Sequence, residues 1–91
     1  MVTAFTMLNI TRDSINQTAE DLLEIGGITE VYSVAGDWDL VAILLVRDND
    51  QLADVVTNHL LKVPGVTRSQ TLIAFRVFSK FELDAMFDVG R

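Results

Sequence analysis

The sequence predicts an α+β fold with the element order βαββαβ, on three observations. The first is an internal near-repeat. Leu22-Leu23-Glu24-Ile25-Gly26-Gly27-Ile28-Thr29 reads against Leu60-Leu61-Lys62-Val63-Pro64-Gly65-Val66-Thr67, and the same offset lays residues 4–8 over residues 42–46. The second is that each half joins an apolar, strand-length run to an amphipathic stretch of helical period. The third is a glycine-marked turn after each amphipathic stretch, at Gly26-Gly27 and at Pro64-Gly65. Two βαβ halves in one small chain make the split-βαβ, ferredoxin-like plan, a four-stranded antiparallel sheet with two helices on one face. The other face is left uncovered, and with 49% hydrophobic residues it is too apolar to meet water. The chain is expected to assemble.

The elements follow in order. Residues 2–10, rich in apolar residues and threonine, form the first strand. Thr11, Asp13 and Ser14 offer capping oxygens to the next helix, whose apolar face is Ile15, Ala19, Leu22 and Leu23. Residues 29–35 form the second strand, with Val31, Tyr32 and Val34 suited to a half-buried pleat. Gly36-Asp37 is expected to make a tight hairpin turn into a third strand over 38–46. Asp48 and Gln51 have capping-box spacing, and Leu52, Val55, Val56, Leu60 and Val63 are the buried stripe of the second helix. Pro64-Gly65 ends it.

Residues 66–78 read as a long final strand. Its face of Thr67, Ser69, Thr71, Ile73, Phe75 and Val77 begins polar and becomes apolar, so one end is expected to line something wet. Ser79 and Glu82 repeat the capping-box spacing ahead of Phe81, Leu83, Met86 and Phe87. That pattern predicts a short C-terminal helix that docks on a neighbouring subunit or across the sheet edge.

Ninety-one residues make one domain, spanning 1–91, and a chain of that size buries only about two-thirds of its unfolded surface. No apolar run approaches the roughly 20 residues needed to cross a bilayer. No basic region precedes an apolar one at the N-terminus, so no secretory signal is expected. The chain has no cysteine, which excludes disulfides and thiolate chemistry and suits a cytoplasmic location. Its 13 acidic residues against 7 basic ones give a net charge of −6, which repels phosphate backbones. The basic residues Arg12, Arg47, Lys62, Arg68, Arg76, Lys80 and Arg91 are scattered, so no direct contact with nucleic acid is expected.

Catalysis finds little support. His59, the sole histidine, has no acidic or histidine partner three or four residues further along its helix, so no metal site is expected there. Asp37-Trp38-Asp39 puts two carboxylates on one side of a hairpin, where Asp37 also suits the turn and Asp39 a backbone cap. Trp38 suits a core or interface anchor as well as a ligand platform. No glycine-rich phosphate loop runs from a strand into a helix. No cofactor is expected.

At this point two segments carry a resemblance. Val34-Ala35-Gly36-Asp37-Trp38-Asp39-Leu40 resembles the V-[ST]-G-x-[YF]-D-[YL] hairpin of the Lrp/AsnC amino-acid-responsive regulators. Pro64-Gly65-Val66-Thr67-Arg68-Ser69-Gln70-Thr71 is similar to the P-G-V-x-x-[ST]-x-T lead-in to that family's last strand. The resemblance covers the whole chain and matches the effector-binding RAM domain, without the helix-turn-helix that usually precedes it. It implies ferredoxin-like domains that pair through their open sheet faces and associate further, into octamers or similar rings. It also implies a free amino acid as effector, held between neighbouring dimers, and full-length Lrp/AsnC regulators as further partners.

Carried over by position, Gly36, Asp37, Trp38 and Asp39 would form one wall of the site. Ser69, Thr71 and Ile73 would face it from another part of the site or from an adjoining subunit. The N–H groups of a glycine turn can receive an α-carboxylate, and Asp39 can accept from an α-ammonium. Ala35 departs from the family pattern, which has a hydroxyl residue before the glycine. Three other readings share the plan: a dimeric α+β-barrel enzyme of the monooxygenase or isomerase kind, an ACT-like regulatory domain, and a structural oligomer without ligand. The first wants polar groups between helices and sheet, where this sequence puts aliphatic ones. The second wants a glycine after the first strand, where Asn9-Ile10-Thr11-Arg12 has none.

Overall fold

Alternation of side chains at period two assigns each strand an inner and an outer face, and the computed structural model, which describes residues 1–80, follows that alternation. Strands β1 (Val2–Ile10), β2 (Ile28–Ser33), β3 (Leu40–Val46) and β4 (Val66–Ile73) form one antiparallel sheet in the order β2-β3-β1-β4. Helix α1 (Ile15–Leu23) links β1 to β2, and helix α2 (Asn49–Asp54) with the turns after it links β3 to β4. The repeat halves meet at the sheet centre, where β1 and β3 pair from Val2↔Val46 to Leu8↔Leu40.

The core lies between the sheet and the helices. Ala4, Leu8 and Ile10 of β1 and Leu40, Ala42, Leu44 and Val46 of β3 are buried there against Leu22, Leu52, Val55 and Leu60. The opposite face carries Phe5, Met7, Val41, Ile43, Leu45, Tyr32 and Leu72, with no element of the described residues over it. Phe5, Tyr32, Leu45 and Leu72 remain exposed, as the uncovered face expected from the sequence requires.

The helices differ in detail from expectation. Thr18 is buried and Leu23, assigned to the apolar face of α1, is 51% exposed. Thr18 donates its hydroxyl to the Pro64 carbonyl at 3.0 Å, which satisfies the polar group inside the layer. Leu23 is the last residue of α1, where the chain turns away through the Gly26-Gly27 bend. The Asp48 carboxylate accepts from the Gln51 N–H at 2.8 Å, as the capping spacing implies, while Gln51 Oε1 accepts from Arg47 N–H at 2.7 Å. The second helix is not continuous: α2 passes into a π turn over Val55–His59 and a 3₁₀ turn over Leu60–Lys62. Leu52, Val55 and Leu60 are all buried across these changes of winding.

Three strand boundaries also move. β2 stops at Ser33 and β3 starts at Leu40, so the hairpin is wider than the two-residue Gly36-Asp37 turn expected. The long final strand expected over 66–78 ends at Ile73, because its pairing with β1 runs out at Ala4↔Ile73. One further bond, Ala74 N–H to the Thr3 carbonyl at 2.9 Å, closes the ladder. Beyond it Phe75, Val77 and Phe78 are exposed, Phe75 completely. The expected C-terminal helix with Phe81, Leu83, Met86 and Phe87 lies outside the described residues. No helix among them is long and apolar enough to cross a membrane.

Candidate functional site

The β2–β3 hairpin closes through Val34 N–H donating to the Asp39 carbonyl at 3.0 Å, which leaves residues 35–38 as the loop. Gly36 takes φ +116°, a conformation that side chains rarely adopt, and nothing lies within 4 Å of where its Cβ would stand. Among the described residues the N–H groups of Ala35, Gly36, Asp37 and Trp38 make no backbone hydrogen bond. The loop is an open set of donors on a fixed base.

Asp39 makes that base. Its N–H donates to the Leu8 carbonyl at 2.9 Å, and its Oδ2 accepts from Ile10 N–H at 2.8 Å. The second of these bonds spans the place where the β1–β4 register slips, between Asn9 and Ile10. One oxygen of Asp39 thus serves the backbone, and Oδ1 accepts no hydrogen bond among the described residues.

Trp38 is half-buried, and Arg68 from β4 covers its ring, with Cζ 4.5 Å from the ring centre. Arg68 pairs with Asn9 and therefore points to the open sheet face. Asp37 is exposed at the loop tip. Ser69, Thr71 and Ile73 alternate onto the other face of β4, opposite Leu8, Thr6 and Ala4. Ser69 is half-buried. Thr71 exchanges a hydroxyl hydrogen bond with the buried Thr6 at 2.9 Å. Thr71 and Ile73 line a concavity of about 250 Å³ with Leu52, Ala53, Val56, Asn49 and Thr57.

Within one chain the expected site residues are therefore divided. Gly36, Asp37, Trp38 and Asp39 gather at the hairpin, while Thr71 and Ile73 stand on the helix side, further along the sheet. Arg68 belongs to the hairpin group and was not singled out as a site residue in the sequence. Its signal was its place inside the second of the two motif segments. A separate cleft of about 460 Å³ lies between the Gly26-Gly27 bend and the π turn, lined among others by Glu24, Asp54 and His59. His59 Nε2 is 3.5 Å from Asp54 Oδ2, and both side chains are about half exposed. No cluster of histidine and acidic residues fit to hold a metal ion occurs among the described residues.

The family model for the Lrp/AsnC ligand binding domain matches residues 3–82. This chain belongs to the Lrp/AsnC family. Among its relatives is an uncharacterised HTH-type transcriptional regulator of Pyrococcus abyssi, 30% identical over 76 residues, which are 80% of this chain and 51% of the relative. The chain spans about half the length of the curated relatives it matches. TTHA0845 of Thermus thermophilus is 39% identical with a TM-score of 0.82, and the match covers 88% of this chain and 100% of that one. The feast or famine regulatory protein Rv3291c of Mycobacterium tuberculosis, solved in complex with L-methionine, shares the Lrp/AsnC fold. It has a TM-score of 0.74 at 22% identity, covering 88% of this chain and 54% of that one.

Proposed function

We propose that this Lrp/AsnC domain binds a free amino acid at the hairpin over residues 35–38, in a site that a second copy of the chain completes. The observation that carries the reading is the hairpin itself. Its N–H donors are unused, its glycine keeps the approach open, and its base is tied into the sheet by Asp39. Donors held in place before binding suit an α-carboxylate, since little ordering remains to be done. The L-methionine bound to the mycobacterial regulator favours an amino acid as the class of ligand.

The uncovered sheet face supports the second copy. Phe5, Tyr32, Leu45 and Leu72 are exposed on one face of the sheet, and such apolar patches mark association. Ligand held between copies would bind only the assembled form and so couple occupancy to assembly.

The test is a thermal-shift screen against the twenty standard amino acids, with the mass in solution measured by light scattering. A melting temperature raised by a few related amino acids, in a protein heavier than one chain, is expected. A flat screen overturns amino-acid binding. A single-chain mass at every concentration overturns the shared site, and Phe5→Glu, which puts a charge at the centre of the open face, should reduce the mass to one chain.

A further inference from the structure

We infer that Arg68 is the anchor for the carboxylate of the amino acid, a role that rests on the reading above and adds to it a residue from β4. The hairpin is an unfavourable place for an anion on charge alone. It carries Asp37 and Asp39 in a chain of net charge −6. Backbone N–H groups supply only partial charge, and a full cation beside them strengthens the hold on a carboxylate. Arg68 is the basic residue that the fold brings there, 4.5 Å over the Trp38 ring.

The way it is held matters. Stacking on the indole occupies one face of the guanidinium and leaves its N–H donors, which lie in the plane, at the edge. That edge can meet both oxygens of a carboxylate at once. Among the described residues the Arg68 guanidinium has no carboxylate within ion-pair distance and no hydrogen bond. Asn9, its partner in the β1–β4 register, keeps a buried Oδ1 with no donor. Unmet polar groups are thus concentrated at this end of the ladder, and the guanidinium is the member that is exposed. Trp38 serves as the rest that aims Arg68 toward the loop.

The experiment titrates each of the twenty standard L-amino acids, and the carboxamide of any that binds, into the wild type, Arg68→Gln and Arg68→Lys by calorimetry. Unliganded melting temperatures confirm that each variant is folded. Loss of one carboxylate-to-guanidinium contact should weaken the acid roughly 10- to 100-fold in Arg68→Gln. Arg68→Lys should recover part of that loss, and the carboxamide, already weak, should bind wild type and Arg68→Gln alike. Equal affinity of the acid for wild type and Arg68→Gln overturns the role of Arg68 and leaves the amino-acid site standing. Equal loss of acid and carboxamide also overturns it, because Arg68 would then act only by holding Trp38 in place. No amino acid bound by the wild type fails the proposed function itself, and the anchor with it.

Discussion

The carboxylate of Asp39 reaches across from the hairpin base to the N–H of Ile10, 2.8 Å away, at the point where β1 slips its register against β4. A bulge leaves a backbone group without its ladder partner, and here a side chain from the base of the β2–β3 hairpin supplies the acceptor. The residue that the family resemblance assigns to a ligand is therefore also a structural tie. Both duties are compatible, since a carboxylate has two oxygens.

Asp39→Ala is expected to destabilise the protein by about 1–3 kcal/mol, the cost of leaving a part-buried N–H without its charged acceptor. Urea unfolding measures it. Asp39→Asn keeps an oxygen for Ile10 and should recover much of that stability while giving up the charge available to an α-ammonium. A variant that melts as the wild type does but binds amino acids more weakly would separate the two duties.

Gly65, at the end of the α2 connection, lies close against Thr18 of α1, whose hydroxyl is tied to the neighbouring Pro64 carbonyl. Gly65 has φ +98°, and a Cβ built there would stand 2.7 Å from Thr18 Oγ1 and 3.1 Å from Ser14 Cβ. Gly65→Ala is expected to cost roughly 1–3 kcal/mol through backbone strain together with the clash. Combining it with Thr18→Ala removes the nearest contact but leaves the backbone strain, so the double variant should remain less stable than Thr18→Ala alone. Equal melting temperatures for those two proteins would show that φ is not the constraint.

Tyr32 donates its hydroxyl to the Glu30 carboxylate on the open sheet face. That hydrogen bond, and then the negative charge of Glu30, hold the phenol pKa above its ordinary value. The folded state therefore keeps the proton more tightly than the unfolded chain does. The contact's stabilisation is present at pH values below the ordinary phenol range and is lost as pH rises through the raised pKa. Tyr32 is the single tyrosine, so tyrosinate absorbance during an alkaline titration reports it alone. Glu30→Gln should bring the midpoint down.

The topology was legible because the repeat and the apolar periods agree, and both halves fold as the pattern requires. The hairpin motif located Gly36 and Asp39, although not the bond from Asp39 to Ile10, which depends on a bulge with no local signature. Thr18 was missed because a threonine on a helix reads as polar until its acceptor, the Pro64 carbonyl, is seen. Residues 74–78 alternate like a strand, yet β1 offers them no partner past Thr3. Pairing partners are a property of the sheet, not of the segment. Arg68 was overlooked for a related reason. Its meaning comes from Trp38, thirty positions away in sequence and brought beside it by the fold.

Trp38 is the single tryptophan, so its emission reports the hairpin directly. In the wild type its ring is half-buried and covered by the Arg68 guanidinium. Arg68→Gln removes the cover and should move the emission to longer wavelength, with easier quenching by acrylamide, in the ligand-free protein. Amino-acid binding at the hairpin should shift the wild-type emission in a saturable way, because the ligand meets the same guanidinium that rests on the ring. Binding seen by calorimetry with Trp38 emission unchanged would place the amino acid away from the hairpin. The concavity between α2 and β4, which Thr71 and Ile73 line, would then be the place to look.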